Sequence, residues 1–215
     1  MTSTINASTA GGGGIIQTAD SSGTLALQGG GNTGVSIDSS GNATGTTQSQ
    51  ANNSTRLSTT AYVDRVAVQQ VAKTVTGAVA TGTTTTPADD TIPQNTEGDQ
   101  YMTQAITPKS ATSTLRIDVV FNGSSSVAGT NTSTLALFQD TTANALAAVN
   151  FAHGQFANYQ MNMTYFMTSG TTSSTTFKVR VGCNAAGTTT FNGYNGGRYY
   201  GGVYASSITI TEYFV

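Results

Sequence analysis

Between residues 100 and 215 the apolar side chains recur at every second position in short runs. Leu115, Ile117, Val119 and Phe121 alternate with Arg116, Asp118 and Val120, and Phe177, Val179 and Val181 alternate with Lys178, Arg180 and Gly182. A period of two places the apolar set on one face of a pleated sheet. The same reading gives strands over 100–106, 113–121, 134–139, 147–151, 158–167, 175–182, 188–191, 198–204 and 207–215, joined by turns of Gly, Ser, Thr and Asn. Many short strands at such intervals imply an antiparallel sandwich with jelly-roll connections. Within 158–167, Tyr159, Met161, Met163, Tyr165 and Met167 fall on one side and read as an inner sheet face.

Only 8% of the 215 residues are charged and 37% are hydrophobic, so hydroxyls and amides keep this chain in solution. Disorder combines low hydrophobicity with high net charge, and the formal net charge here is -2. The eight Lys and Arg are scattered and form no basic patch of the kind phosphate neutralisation needs, which argues against nucleic acid as a partner. One cysteine, Cys183, precludes an intrachain disulfide framework. The first residues have neither a basic start nor an apolar core, and no apolar run approaches the roughly 20 residues that span a bilayer. The expectation is a product made in the cytoplasm with no membrane insertion.

The chain divides into four stretches. Residues 1–50 hold short strand-like pieces at 14–18, 24–28 and 34–38, separated by two Asp-Ser-Ser-Gly turns at Asp20 and Asp38. Leu25, Leu27, Val35 and Ile37 are nearly all the apolar surface they own, so this region needs copies of itself or a socket on another protein. Residues 51–80 read as a linker and a short helix. Leu57, Ala61, Asp64, Val68, Val71, Val75 and Ala78 alternate steps of four and three, the seam of a trimeric coiled coil, although valine lowers helix propensity. Residues 81–95 form a Thr-rich connector broken by Pro87 and Pro93. Residues 96–215 are the β-domain. The expected fold is mainly β, with an extended N-terminal β-region, a short central coiled-coil helix and a C-terminal jelly-roll-like sandwich, assembled as a homotrimer.

No catalytic constellation emerges. His153 and Cys183 are single residues, and a nucleophilic pair also needs an orienting third group and an oxyanion site. Three His153 rings on a trimer axis would suit a transition metal; the plainer reading is a loop histidine bonded to backbone, and no cofactor is expected. Asp89, Asp90, Glu97 and Asp99 are dense but lack the alternating spacing of a calcium loop, and read as a solvated connector. The segment 191–205, FNGYNGGRYYGGVYA, concentrates Tyr194, Tyr199, Tyr200 and Tyr204 among glycines. Aromatic rings with polar edges suit contact with sugars or protein surfaces, and packing is the competing role for any one tyrosine. Tyr194, Arg198 and Tyr199 are the receptor-contact candidates.

The stretch IIQTADSSGTLALQGGGNTGVSIDSSGNATGTT resembles repeats in the shafts and attachment regions of phage tail fibres. ANNSTRLSTTAYVD resembles the linker before short helices in the same proteins, and DDTIPQNTEGDQYMTQAITPKSATSTLRIDVVF through GGVYASSITITEYFV resembles a C-terminal β-domain of tailed-phage fibre and appendage proteins. What the resemblance implies is a non-enzymatic virion protein: a short trimeric fibre or fibre-like appendage attaching to the host surface, docked through its N-terminus to another virion protein. Its β-domain would meet a host glycan or protein. A chain of 215 residues is short for a long tail fibre, so an adaptor or a capsid-decorating head fibre that stabilises the shell remains the alternative.

Overall fold

The computed structural model describes residues 24–29, 32–47, 60 and 68–214. The chain forms two units, 1–66 and 67–215. In the first, β1 (Leu25–Gly29), β2 (Asn32–Ile37) and β3 (Ala43–Gly45) make an antiparallel meander. The Asp38 carboxylate accepts from the Ser40 and Asn42 backbone N–H groups, both at 2.9 Å, and Gly41 takes a φ of 81°. The hydrogen bonds from Asn42 hold that carboxyl below the usual aspartate range. The other Asp-Ser-Ser-Gly turn and the piece at 14–18 lie outside the described residues. Leu27 is 51% exposed, in keeping with a unit that buries little by itself.

The second unit is built from β4 (Val68–Thr76), β5 (Ala80–Gly82), β6 (Asp99–Ile106), β7 (Thr114–Ser125), β8 (Asn131–Gln139), β9 (Ala147–His153), β10 (Asn158–Thr168), β11 (Thr175–Cys183), β12 (Thr189–Phe191), the hairpin β13 (Gly193–Tyr194) and β14 (Gly197–Arg198), and β15 (Ser206–Tyr213). One sheet runs β4-β15-β7-β12-β5, with β10 pairing β7 on its other side; the second runs β6-β11-β8-β9. All pairings are antiparallel, and the sheets form a jelly-roll-like fold. The alternate residues predicted to face inward do so. Leu115, Ile117, Val119 and Phe121 from β7, Tyr159, Met161 and Met163 from β10, and Ile208 and Ile210 from β15 meet Phe177, Val179 and Val181 from β11 and Leu135 and Leu137 from β8.

The coiled-coil helix is overturned. Val68, Val71 and Val75 lie on β4, hydrogen-bonded to β15 from Val68↔Tyr213 to Thr76↔Ser206. Leu57 and Ala61 lie outside the described residues. Valine and threonine at 68, 71, 74, 75 and 76 favour an extended chain, and the sheet supplies the cross-strand contacts they pack against. The helical spacing was a coincidence of register. A bulge between Glu212 and Tyr213 places Val68 on the same outer face as Val71, Lys73 and Val75, so a period of two with one slip reproduced steps of three and four. The stretch at 81–95 is likewise more than a connector. Gly82 ends a strand paired with β12, the Thr84 N–H donates to Asp99 Oδ2 at 2.8 Å, and the buried Thr86 donates its N–H to the Cys183 carbonyl at 3.0 Å.

Candidate functional site

Residues 192–204 build the most distinctive surface of the β-domain. The run expected as a strand over 198–204 is not one. Asn195 and Gly196 take φ values of 47° and 80° and turn β13 back on β14, the two-residue hairpin that an Asn-Gly pair favours. Beyond it, Tyr200–Gly202 form a single 3₁₀ turn, with φ positive at Tyr200 (45°), Gly201 (65°) and Gly202 (98°). Three consecutive positive φ angles cannot belong to a strand.

The loop is fixed from below. Asn192 is fully buried, also with positive φ; its Nδ2 donates to the carbonyls of Thr76 (2.7 Å) and Ala78 (3.1 Å), and its Oδ1 accepts from Ser206 Oγ at 2.6 Å. Its N–H donates to the Asn122 carbonyl at 2.9 Å. One residue, through its side chain and its N–H, thereby ties together β4, β7 and β15. Gly77 passes against the loop so closely that a Cβ there would lie 1.7 Å from the Gly202 carbonyl oxygen.

On this base stands a chain of rings. Tyr194 lies 5.9 Å from Tyr199, Tyr199 lies 4.2 Å from Tyr200 and 5.9 Å from Tyr204, and Tyr200 lies 6.2 Å from Tyr204. Phe156, distant in sequence, joins at 6.1 Å from Tyr194. Of the three candidates, Tyr194 (40%) and Arg198 are exposed and Tyr199 is half-buried. Tyr200, at 67%, is more exposed than either tyrosine among them. The Tyr199 phenol beside it raises the Tyr200 hydroxyl above the usual tyrosine range, and burial does the same to Tyr204. Tyr200 and Tyr204 therefore present neutral hydroxyls at neutral pH. Phe156 was invisible in the sequence because nothing in its own segment marks a link to residue 194. A large residue with positive φ costs about 1–3 kcal/mol, so Tyr200 pays a backbone cost to hold its ring outward.

The remaining candidates are interior. His153 is not on a loop but ends β9, buried, with its ring stacked 4.7 Å from Tyr159. The Tyr159 hydroxyl and Ser133 Oγ are 2.9 Å apart, Ser133 Oγ and His153 Nε2 2.8 Å, and His153 Nδ1 faces the Gly154 carbonyl at 3.0 Å. Nδ1–H donating to Gly154 leaves Nε2 to accept from Ser133, which in turn accepts from Tyr159. Both ring nitrogens are used within one chain. Cys183 is a buried free thiol. Asp89 accepts from Thr91 and Glu97 from the Gln94 N–H, each within a turn, and Asp99 accepts from Thr84 across 15 residues, tying the start of β6 to the segment after β5. Among the described residues no cluster of three His, Cys, Asp or Glu side chains is placed to hold a metal.

No protein-family model and no curated protein matches the chain. Among solved structures, the Eiger TNF from S. frugiperda is similar at 10% identity over 66% of this chain and 90% of that one, with a TM-score of 0.37. The infectious bursal disease virus Gx strain structure is similar at 15% identity over 68% of this chain and 36% of that one (TM-score 0.32), and the VP2 subviral particle of the same virus at 13% over 70% and 39% (TM-score 0.32).

Proposed function

We propose that this chain is a structural protein of a tailed-phage particle, a short homotrimeric fibre-like appendage, and that it binds the host surface through the tyrosine loop at 194–204. The observation that carries the binding role is Tyr200, 67% exposed on a left-handed backbone and flanked by Tyr199 and Tyr204, with Tyr194 next along the chain of rings. Apolar burial alone would not keep a large ring outside on a strained residue. The loop is anchored by Asn192, so its rings lose little freedom on contact, and aromatic faces with phenolic edges suit stacking on sugar rings with hydrogen bonds to their hydroxyls. Arg198 adds a charge for acidic sugars. The sequence resemblance to fibre proteins supports the virion setting. The role is recognition without chemistry, and three copies of a weak site give firm attachment through effective concentration.

Binding of the purified chain to host cells tests this. Tyr194→Ala with Tyr200→Ala removes two exposed rings that contribute little to the core, so the fold persists. Loss of about 1.4 kcal/mol of contact is a tenfold change in affinity, and the double variant, lacking two rings, is expected to bind at least tenfold more weakly. Unchanged binding by a folded double variant contradicts the proposal.

A further inference from the structure

The outer face of β4 carries Val68, Val71 and Val75, each about half exposed, around a single cation, Lys73. β4 ends its sheet among the described residues, and an apolar end strand is a surface to which another chain can add. Its flank of the sandwich also holds β6, since Thr74 Oγ1 donates to Gln104 Oε1 at 2.8 Å. The opposite flank holds β9 and β10, where Phe151 stacks on Tyr159 at 5.8 Å. There the start of β9 and the segment 89–93 enclose an open groove of about 400 Å³. Its wall is apolar, from Ile92, Pro93, Leu146 and Ala148, and Asp89 and Asp90 stand at its rim. The groove is held open by backbone bonds, Ala145 N–H to the Pro93 carbonyl (2.9 Å) and Asn95 N–H to the Ala143 carbonyl (2.8 Å).

The two flanks are complementary in charge and character. One offers apolar knobs around a cation; the other offers an apolar trough with two carboxylates. Charge is scarce in this chain, and the nearby cations are committed: Arg116 to Asp118 at 2.9 Å and to the Phe166 ring, Lys178 to the Asp140 carbonyl, Arg180 to the Glu97 and Gly98 carbonyls. Among the described residues neither Lys73 nor Asp89 nor Asp90 forms an ion pair. We infer that the partner of β4 is a second copy of this chain, with the Val68–Val71–Val75 face and Lys73 of one subunit seated against the Asp89–Asp90 groove of the next. Two different patches on opposite flanks make a head-to-tail contact, which closes into a ring where the rotation between copies allows it and runs on as a filament where it does not. The inference rests on the homotrimer reading and assigns its interface.

Sedimentation of the full chain at micromolar concentration separates the two. Val71→Glu with Val75→Glu brings two carboxylates against Asp89 and Asp90; both positions face outward, so the far-ultraviolet circular dichroism stays unchanged. The wild type is expected to sediment as an oligomer and the double variant as a monomer, with assembly weakened at least tenfold. Adding Asp89→Lys and Asp90→Lys to that variant restores the oligomer, which a folding defect would not allow. An oligomeric V71E/V75E protein overturns the interface while leaving the trimer intact. Failure of the lysines to restore assembly overturns the groove as its partner, and a monomeric wild type overturns both the interface and the trimer.

Discussion

Glu212 is a carboxylate sealed inside β15. It accepts from Gln70 Nε2 (2.6 Å), from the Lys109 and Ser110 backbone N–H groups and from Ser113 Oγ (2.6 Å). Burial opposes its charge, but the donors from Ser113, Gln70, Lys109 and Ser110 together outweigh that effect and hold its pKa below the usual glutamate value. A carboxyl depressed in the folded state contributes stability above its unfolded pKa of about 4.3 and loses it as pH falls through the folded value. Thermal melts are therefore expected to show a loss of stability below about pH 4.3 that Glu212→Gln reduces. At neutral pH that variant, which sets an amide N–H against several donors, is expected to cost about 1–3 kcal/mol. Equal melting at pH 7 would show that the buried cluster tolerates a neutral acceptor. Asn192→Ala removes the three side-chain bonds that Asn192 makes under the tyrosine loop and leaves alanine with positive φ; a cost of about 2–3 kcal/mol and faster hydrogen exchange at 193–204 are expected.

At the scale of the element, β4 marks where periodicity misleads. In a strand, Ala72 points inward against the core between Glu212's partner Gln70 and Thr74. In the heptad, Ala72 lies off the seam and would tolerate charge. Ala72→Lys separates the two: a strand predicts a loss of about 2 kcal/mol in a denaturant melt, whereas a helix would leave stability within about 0.5 kcal/mol. Strands whose alternation is unbroken, such as β7, β10 and β11, are legible because every second residue has the same neighbour across the sheet. β4 was not legible because a bulge shifted Val68 by one position, and β5 was not because Ala80, Thr81 and Gly82 carry no apolar signal; pairing with β12 places them. The loop at 194–204 was legible as an aromatic concentration. Its shape was missed because the Asn195-Gly196 turn signal was overridden by the tyrosines that follow.

For the whole molecule, two flanks and one end carry the account. The valine strand and the acidic groove lie on opposite sides of the sandwich, and the tyrosine loop sits over the ends of β4, β7 and β15, held there by Asn192. In the proposed ring the contacts run through the flanks, and the loops at the end of the sandwich number three per assembly. The first unit, with Leu27 exposed and three short strands described, buries little apolar surface by itself. Cryo-electron microscopy of the intact particle tests the central claim most directly. The account predicts three copies of the β-domain in an external appendage, with residues 194–204 facing away from the particle. Density that places the domain on the shell with Tyr194 and Tyr200 packed against capsid subunits would contradict it.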